Sequence, residues 1–370
     1  MIIKKKKKNK LQIAQDDTQN AINEVNHQIN TLGDNTKGLC EALTEIQDAF
    51  DKIRNVPSDQ MLVYNDLKEI RHNWKSQAEK IDHDYKAANA KKGSVAVAGA
   101  GVGVAVVILG PTAAMGIATT FGVASTGTAI STLSGAAATN AALAWLGGGA
   151  LAAGGGGIAA GQVFLALSGP VGWAIAGVAV VSTGLMLLKG RKDFEQLEKV
   201  FMDISERDVN SYKLAIIELQ ERIKRIEDEQ SLLNRAINKI QTFGLDYDKM
   251  SEQQQYELGS YVNLMNSSTQ LLVNPILGLV PKYTDQDFNE YKASVIDDKE
   301  INFLNKFEPL IVSLANLLYS IDLDTKTKKL LWKSLKNNKD FLKSLNLKKR
   351  EVNSKVIDLA MDALEFKYKD

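Results

Sequence analysis

The chain has 370 residues, 45 Lys and Arg against 44 Asp and Glu, and a net charge of +1. A single cysteine, Cys40, excludes an internal disulfide and any paired-cysteine redox or zinc motif. The even charge balance conceals a division: residues 93–188 contain no Asp, Glu, Lys or Arg, while both flanks are rich in Lys, Glu, Asp, Asn and Gln.

The amino terminus, MIIKKKKKNKLQ, is basic and has no apolar core of the secretory type. Synthesis in the cytoplasm without a Sec signal is the expectation, with action at a host-cell membrane or at the producer's own. A secreted form would need a non-classical exit. Residues 1–92 read as a helical arm. Leu39, Leu43, Ile46, Phe50 and Ile53 recur at steps of four and three, and Leu67, Ile70, Trp74, Ala78, Ile81, Tyr85 and Ala88 nearly repeat the rule. Each run is one apolar face of a helix. Between them NVPSDQ supplies Pro57 and a Ser58 or Asp59 cap, which predicts a turn. Cys40 is expected to pack as a small apolar residue.

Residues 93–190 form the uncharged block and hold 22 of the 27 glycines. A core helix of a water-soluble protein keeps one polar face, and this block offers none for long. Stretches 96–118 and 158–188 match or exceed the ~20 apolar residues that cross a ~30 Å hydrocarbon layer. Pro111 and Pro170 interrupt them, and a third stretch, 128–153, is weaker and more polar. Gly99 and Gly103 are four apart, as are Gly149, Ala153, Gly157 and Gly161 in turn. Small residues at that step give a flat strip for close helix packing, which drives association in lipid. In water each glycine costs a helix about 1 kcal/mol against alanine, so the rival reading of residues 154–157 is a flexible linker. Ser125, Thr128, Thr132, Gly135 and Thr139 form a hydroxyl and glycine stripe, a candidate pore lining. The rival is that the hydroxyls bond back to their own helix carbonyls. Trp145 and Trp173 are candidate headgroup-level aromatics. Lys91 and Lys92 before the block, with Lys189, Arg191 and Lys192 after it, favour both flanks on one side of a membrane. That predicts an even number of crossings, hence a hairpin.

Residues 191–245 read as a long coiled-coil helix. Tyr212, Ile216, Leu219, Ile223, Ile226, Gln230, Leu233, Ile237 and Ile240 keep a four-three alternation with Gln230 as its polar member. Phe194, Leu197, Phe201 and Ile204 join this seam through Asp208 by an extra step of four, a stutter. A helix over residues 192–243 is roughly 75 Å long at 1.5 Å per residue, with Gly244 as its C-cap. Residues 246–370 read as a C-terminal helical region, with helices near 252–272, 299–320, 325–345 and 349–366 and a connector over 274–287. Residues 325–355 carry eleven Lys or Arg against Asp340 and Glu351, and Leu331, Leu335, Leu342 and Leu345 give them an apolar edge. Such a segment attracts anionic lipid. Equally, it is a solvated helix that balances the acidic residues 285–300.

Catalytic chemistry is not expected. AGAGVGVAV, residues 98–106, lacks the third glycine and the later acid of a dinucleotide site. No phosphate-loop motif occurs. His72 and His83 are eleven apart and read as a solvated face rather than a metal pair. The expectation is a protein without enzyme activity, metal, cofactor or small-molecule substrate. Poor aromatic interleaving among the lysines speaks against nucleic acid.

A long helix, an uncharged Gly/Ala/Ser/Thr hairpin and a longer coiled-coil helix together resemble the α-helical pore-forming toxins, cytolysin A and the tripartite enterotoxin components. The likeness is of architecture over about residues 11–243, and no motif carries a family residue across. It implies a hydrophobic head masked against a helical bundle, which swings out, inserts and oligomerises. The block of about 96 uncharged residues is larger than a typical head of that family. The layout is also similar to apolipoprotein L, which sets a membrane-inserting hairpin between amphipathic helices. The expected fold is all-α: an elongated helical bundle with long coiled-coil helices flanking a hydrophobic Gly/Ala-rich membrane-inserting hairpin. The expected function is that of a pore-forming toxin or self-directed defence effector, switching from a soluble bundle to an oligomeric pore. Its partners would be a lipid membrane and further copies, or a second component. The alternative expectation is a constitutive membrane-anchored coiled-coil adaptor.

Overall fold

The computed structural model describes residues 10–91, 111–121, 191–279, 282–283, 285–337, 348–351 and 353–369. Among them the chain is all-α. The helices are α1 (Lys10–Phe50), α2 (Ser58–Lys91), α3 (Pro111–Phe121), α4 (Arg191–Ile240), α5 (Glu252–Val273), α6 (Asp285–Ser294), α7 (Asp298–Leu318), α8 (Thr325–Asn337) and α9 (Lys355–Lys367). Single 3₁₀ turns lie at Tyr247–Lys249 and Leu277–Leu279. No strand occurs among the described residues, only one isolated parallel bridge between Arg54 and Asp246.

The scaffold is the pairing of α1 with α4. The 41 residues of α1 and the 50 of α4 make helices of roughly 60 and 75 Å at 1.5 Å per residue. They run in the same sense: Thr18 meets Ser205, Gly38 meets Gln230 and Asn55 meets Asp246. The seam on α1 starts earlier than the leucine-rich run suggested. Ala14, Thr18, Val25, Ile29, Leu32 and Thr36 are buried ahead of Leu39, Leu43, Ile46 and Phe50. On α4, Tyr212, Leu219, Ile223, Ile226, Leu233, Ile237 and Ile240 are buried as the alternation predicted, with Ile216 and Gln230 half-buried. The helix ends at Ile240, and Gly244 lies beyond the turn in the left-handed region at φ 83°, which glycine enters without a Cβ penalty.

The predicted turn lies between Phe50 and Ser58, and α2 returns antiparallel to α1. Arg71 fixes it. Its guanidinium donates to the Leu43 carbonyl at 2.7 Å and to the Gln47 side chain. Beside it the Tyr64 hydroxyl donates to Asp51 at 2.5 Å. Burial pulls the Arg71 pKa down, against the opposing pull of Tyr64 and other partners, and pushes that of Tyr64 up together with the bond to Asp51. Leu67, Trp74, Ala78 and Ile81 face inward; the Tyr85, Ala88 and Phe201 side chains lie outside the described residues.

Helix α5 and the connector after it run antiparallel to α4 along four polar rungs: Lys239 with Glu257, Glu229 with Ser267 and Ser268, Arg222 with the Leu271 and Asn274 carbonyls, and Glu218 with the Gly278 amide. Its start is a capping box in which the Ser251 side chain and Gln254 exchange bonds with each other's backbone. One core thus gathers α1, α2, α3, α5 and the later part of α4.

A second core joins Ala14 of α1 and Leu197, Val200 and Ile204 of α4 to the C-terminal helices, with α7 supplying Leu304, Phe307, Leu310, Ile311, Leu314 and Leu318. Leu331 and Leu335 are buried here, so the described part of the apolar edge on the basic helix packs inside. Leu342 and Leu345 lie outside the described residues. Its lysines pair with acids, Lys326 with Asp193 and Lys328 with Asp358, and Lys355 at the start of α9 pairs with Glu300.

Two sequence expectations shift. The segment 285–294, assigned in part to a connector, is a helix because Phe288 and Tyr291 share one buried edge. The last helix begins at Lys355 rather than near 349. Residues 348–351 close a turn in which Lys348 N donates to Glu351 Oε2, and Asn353 Oδ1 accepts from Lys355 N.

Candidate functional site

Helix α3 is the part of the uncharged block that the structure describes. Its sequence, PTAAMGIATTF, places Pro111 at the first helical position, where a missing N–H costs nothing. With 11 residues it spans about 16 Å, half a hydrocarbon layer. Among the described residues no helix is long and apolar enough to cross a membrane.

Helix α3 lies in a groove between α1, α2 and α5. Ala113, Ala114, Gly116, Ile117, Ala118, Thr119 and Thr120 are all buried. The closest approach is to α1. A Cβ on Gly33 would stand 1.9 Å from the Thr112 carbonyl oxygen, and one on Gly116 would stand 2.2 Å from the Ile29 carbonyl oxygen. Only glycine permits backbones so close. Further along, the hydroxyls of Thr119 and Thr36 are 3.5 Å apart. The two helices therefore run in the same sense.

The polar groups of Thr120 are matched. Thr120 donates its hydroxyl back to the Gly116 carbonyl at 2.7 Å, satisfying it within its own helix. The Thr120 carbonyl accepts from Ile276 N at 2.7 Å. Ile276 belongs to the connector after α5, which is itself tied to α4. Arg222 donates to the Leu271 and Asn274 carbonyls at 2.7 and 2.9 Å, and Glu218 accepts from Gly278 N at 3.0 Å. Gly278 sits against Ala215, where an added Cβ would meet backbone at 3.1 Å.

At the junction of the two cores, Asp208 and Arg207 form a 2.7 Å ion pair on α4. Arg207 also donates to the Leu317 and Tyr319 carbonyls at the end of α7. Asp208 occupies the predicted stutter position. Burial pushes its carboxyl pKa up, although Arg207 pulls it down, and Oδ2 has no hydrogen-bond partner among the described residues.

The residues singled out from the sequence, Gly99, Gly103, Gly149, Ala153, Gly157 and Gly161, the stripe of Ser125, Thr128, Thr132, Gly135 and Thr139, and the aromatics Trp145 and Trp173, all lie outside the described residues. What the sequence reading missed is the seat: Gly33, Thr36, Gly116 and Thr119 at the crossing, with Glu218, Arg222, Ile276 and Gly278 behind it. The available signal was that Gly33 and Gly38 stand in a charged helix where glycine is costly. Their partners are far away in sequence, so spacing gave no hint. His72 and His83 are both exposed, and no metal-binding cluster occurs among the described residues. No protein-family model matches the chain, and neither a curated protein nor a solved structure matches it.

Proposed function

We propose that the protein is a membrane-inserting, pore-forming effector, a toxin or a self-directed defence protein, that holds part of its inserting block in the helical bundle until it is released. The carrying observation is the seating of α3, an uncharged piece of that block, between three charged amphipathic helices through backbone-close glycine contact. The segment suits two environments. It has no charged residue, and the Thr120 hydroxyl is satisfied inside the helix, so moving it into hydrocarbon strands neither a charge nor that donor. In the membrane α3 and its uncharged flanks together supply the ~20 residues a crossing needs. The strip of Gly149, Ala153, Gly157 and Gly161 then packs subunits together, and two crossings form a hairpin whose flanks share one side.

The adaptor reading draws on a different feature. Leu214 and Ile217 are 61% and 59% exposed on α4, a face on which a partner helix could lie. Fractionation separates the two readings: extraction only by detergent favours the anchored adaptor, and a purified soluble chain favours the switch.

The direct test is release of an encapsulated dye from liposomes of varied charge and pH. Leakage is expected, and Gly157→Leu is expected to weaken it while the helical content of the arms is kept. Liposomes that stay intact across lipid compositions and pH overturn the proposal.

A further inference from the structure

Besides its packing against α2 and α5, α3 is met through its backbone by two elements, α1 and the connector after α5. Against α1 it makes glycine-to-backbone contact and one long hydroxyl approach. At its C-terminal end the Ile276 amide closes on the Thr120 carbonyl at 2.7 Å, and that amide is presented by a short connector with attachments of its own. Residues 274–279 follow α5, carry Pro275, and turn through the 3₁₀ segment Leu277–Leu279. Arg222 holds the near end through the Leu271 and Asn274 carbonyls, Glu218 holds the far end through Gly278 N, and Gly278 lies flat on Ala215. Ile276 points into the core while Leu277, next in sequence, is 69% exposed. The connector thus lies across the end of α3 with both its ends fastened to α4.

We infer that residues 274–279 form a strap fastened to α4 by Arg222 and Glu218, and that unfastening it controls the undocking of α3. The inference rests on the reading of α3 as a releasable part of an inserting block, and it deepens that reading by naming what sets the rate of release. Charge-assisted bonds to backbone groups are stronger than neutral ones, so Arg222 and Glu218 fasten the strap to α4 firmly while the strap meets α3 through the neutral bond from Ile276 N to the Thr120 carbonyl. The strap is also a small unit that can open while the α1–α4 scaffold stays paired, as low-stability segments do.

The experiment uses the full chain and reads docking separately from leakage. Hydrogen exchange of the amides of residues 113–121 is compared in the wild type, in Arg222→Ala, in Glu218→Gln and in Gly278→Ala. The last leaves both charges in place and lifts the strap sterically. Arg225→Ala, an exposed arginine one turn on, is the control. The three strap variants should lose protection in α3 by about tenfold or more, while the amides of α1 and of α4 beyond residue 225 keep theirs. Dye release is measured in parallel. Unchanged α3 protection in the three variants overturns the strap, whatever the liposomes do. Equal loss throughout the chain also overturns it, because the residues would then serve global stability alone. Selective loss of α3 protection with intact liposomes supports the strap and removes the pore reading instead.

Discussion

Gly116 of α3 lies on Gly33 of α1 with no room for a side chain on either: each added Cβ would fall within 2.2 Å of a carbonyl oxygen on the opposite helix. The obstructing atoms are backbone, so relief requires the helices to part. Overpacking of a well-packed contact costs about 1–3 kcal/mol, while replacing a helical glycine by alanine returns about 1 kcal/mol. Gly33→Ala and Gly116→Ala are therefore expected to lower stability by up to about 2 kcal/mol net and to deprotect the α3 amides. A denaturant titration with hydrogen exchange checks this, and full protection of α3 in both variants would contradict the close crossing.

Gly38 supplies the contrast on the same helix. The atoms a Cβ would meet there belong to the end of the Gln230 side chain, at 2.6 Å. A flexible side chain swings aside at small cost, and the helix gains from losing a glycine. Gly38→Ala should leave stability unchanged or raise it by up to about 1 kcal/mol. A loss comparable with that of Gly33→Ala would show that Gln230 is fixed rather than yielding.

These two glycines also show how far the sequence could be read. The long helices were legible because leucine and isoleucine repeat at helical spacing, and Leu39 through Phe50 and Tyr212 through Ile240 pack largely as that repeat dictates. The beginning of α1 was only partly legible: Val25, Ile29 and Leu32 keep the apolar spacing, but Ala14, Thr18 and Thr36 fill seam positions without being strongly apolar. The seat of α3 was hidden for a deeper reason. Its contacts join residues 33 and 116 and residues 120 and 276, and no local pattern encodes which distant backbone a glycine will meet. Gly149 through Gly161 illustrate the opposite case: a clear pattern on residues outside those described.

Arg71 and Gln47 offer a test of what a buried cation contributes. Replacing a buried ion or its network by an apolar residue of similar size is often nearly neutral, whereas removing one partner leaves the other stranded. The double change Arg71→Met with Gln47→Leu should accordingly cost less than Gln47→Leu alone, which keeps the guanidinium buried without its side-chain acceptor. The single change is expected to cost about 1–3 kcal/mol. Thermal or urea unfolding of both variants measures the order, and the reverse order would mean that α2 is held chiefly by the arginine's charge.

Asp208 gives the fold a pH dependence with a definite sign. Burial raises its carboxyl pKa in the folded chain above the ordinary value of 3.8, with Arg207 opposing but not reversing the shift. The folded state therefore binds this proton more tightly than the unfolded state does. The resulting stabilisation is full below that ordinary value and is lost as pH rises through the raised one. Asp208→Asn removes this dependence, keeps an acceptor for Arg207, and is expected to be at least as stable as the wild type at neutral pH. Unfolding curves at several pH values from 3.8 up to neutrality check the slope. A variant that is less stable at neutral pH would show that the ion pair outweighs its desolvation.

Cys40, half-buried on α1 and packed against the first core, is a built-in reporter on that bundle. Burial pushes its thiol pKa above 9.0, Lys75 and Arg71 pull it down, and Glu41 adds a further upward push. Only the thiolate attacks a disulfide or maleimide reagent. Two factors therefore slow it: a small thiolate fraction and restricted access. Labelling of the folded chain at neutral pH should be slower than that of the urea-unfolded chain by about tenfold or more, and its rate should still be climbing above pH 9.0. The same thiol distinguishes local from global opening. Undocking of α3 that leaves α1 paired with α4 and α2 should change the Cys40 rate little, so a variant such as Gly116→Ala that exposes α3 should label almost as slowly as wild type. If Cys40 labels faster in step with loss of α3 protection, then α1 comes apart with α3, and the bundle opens as one unit instead of releasing a single helix.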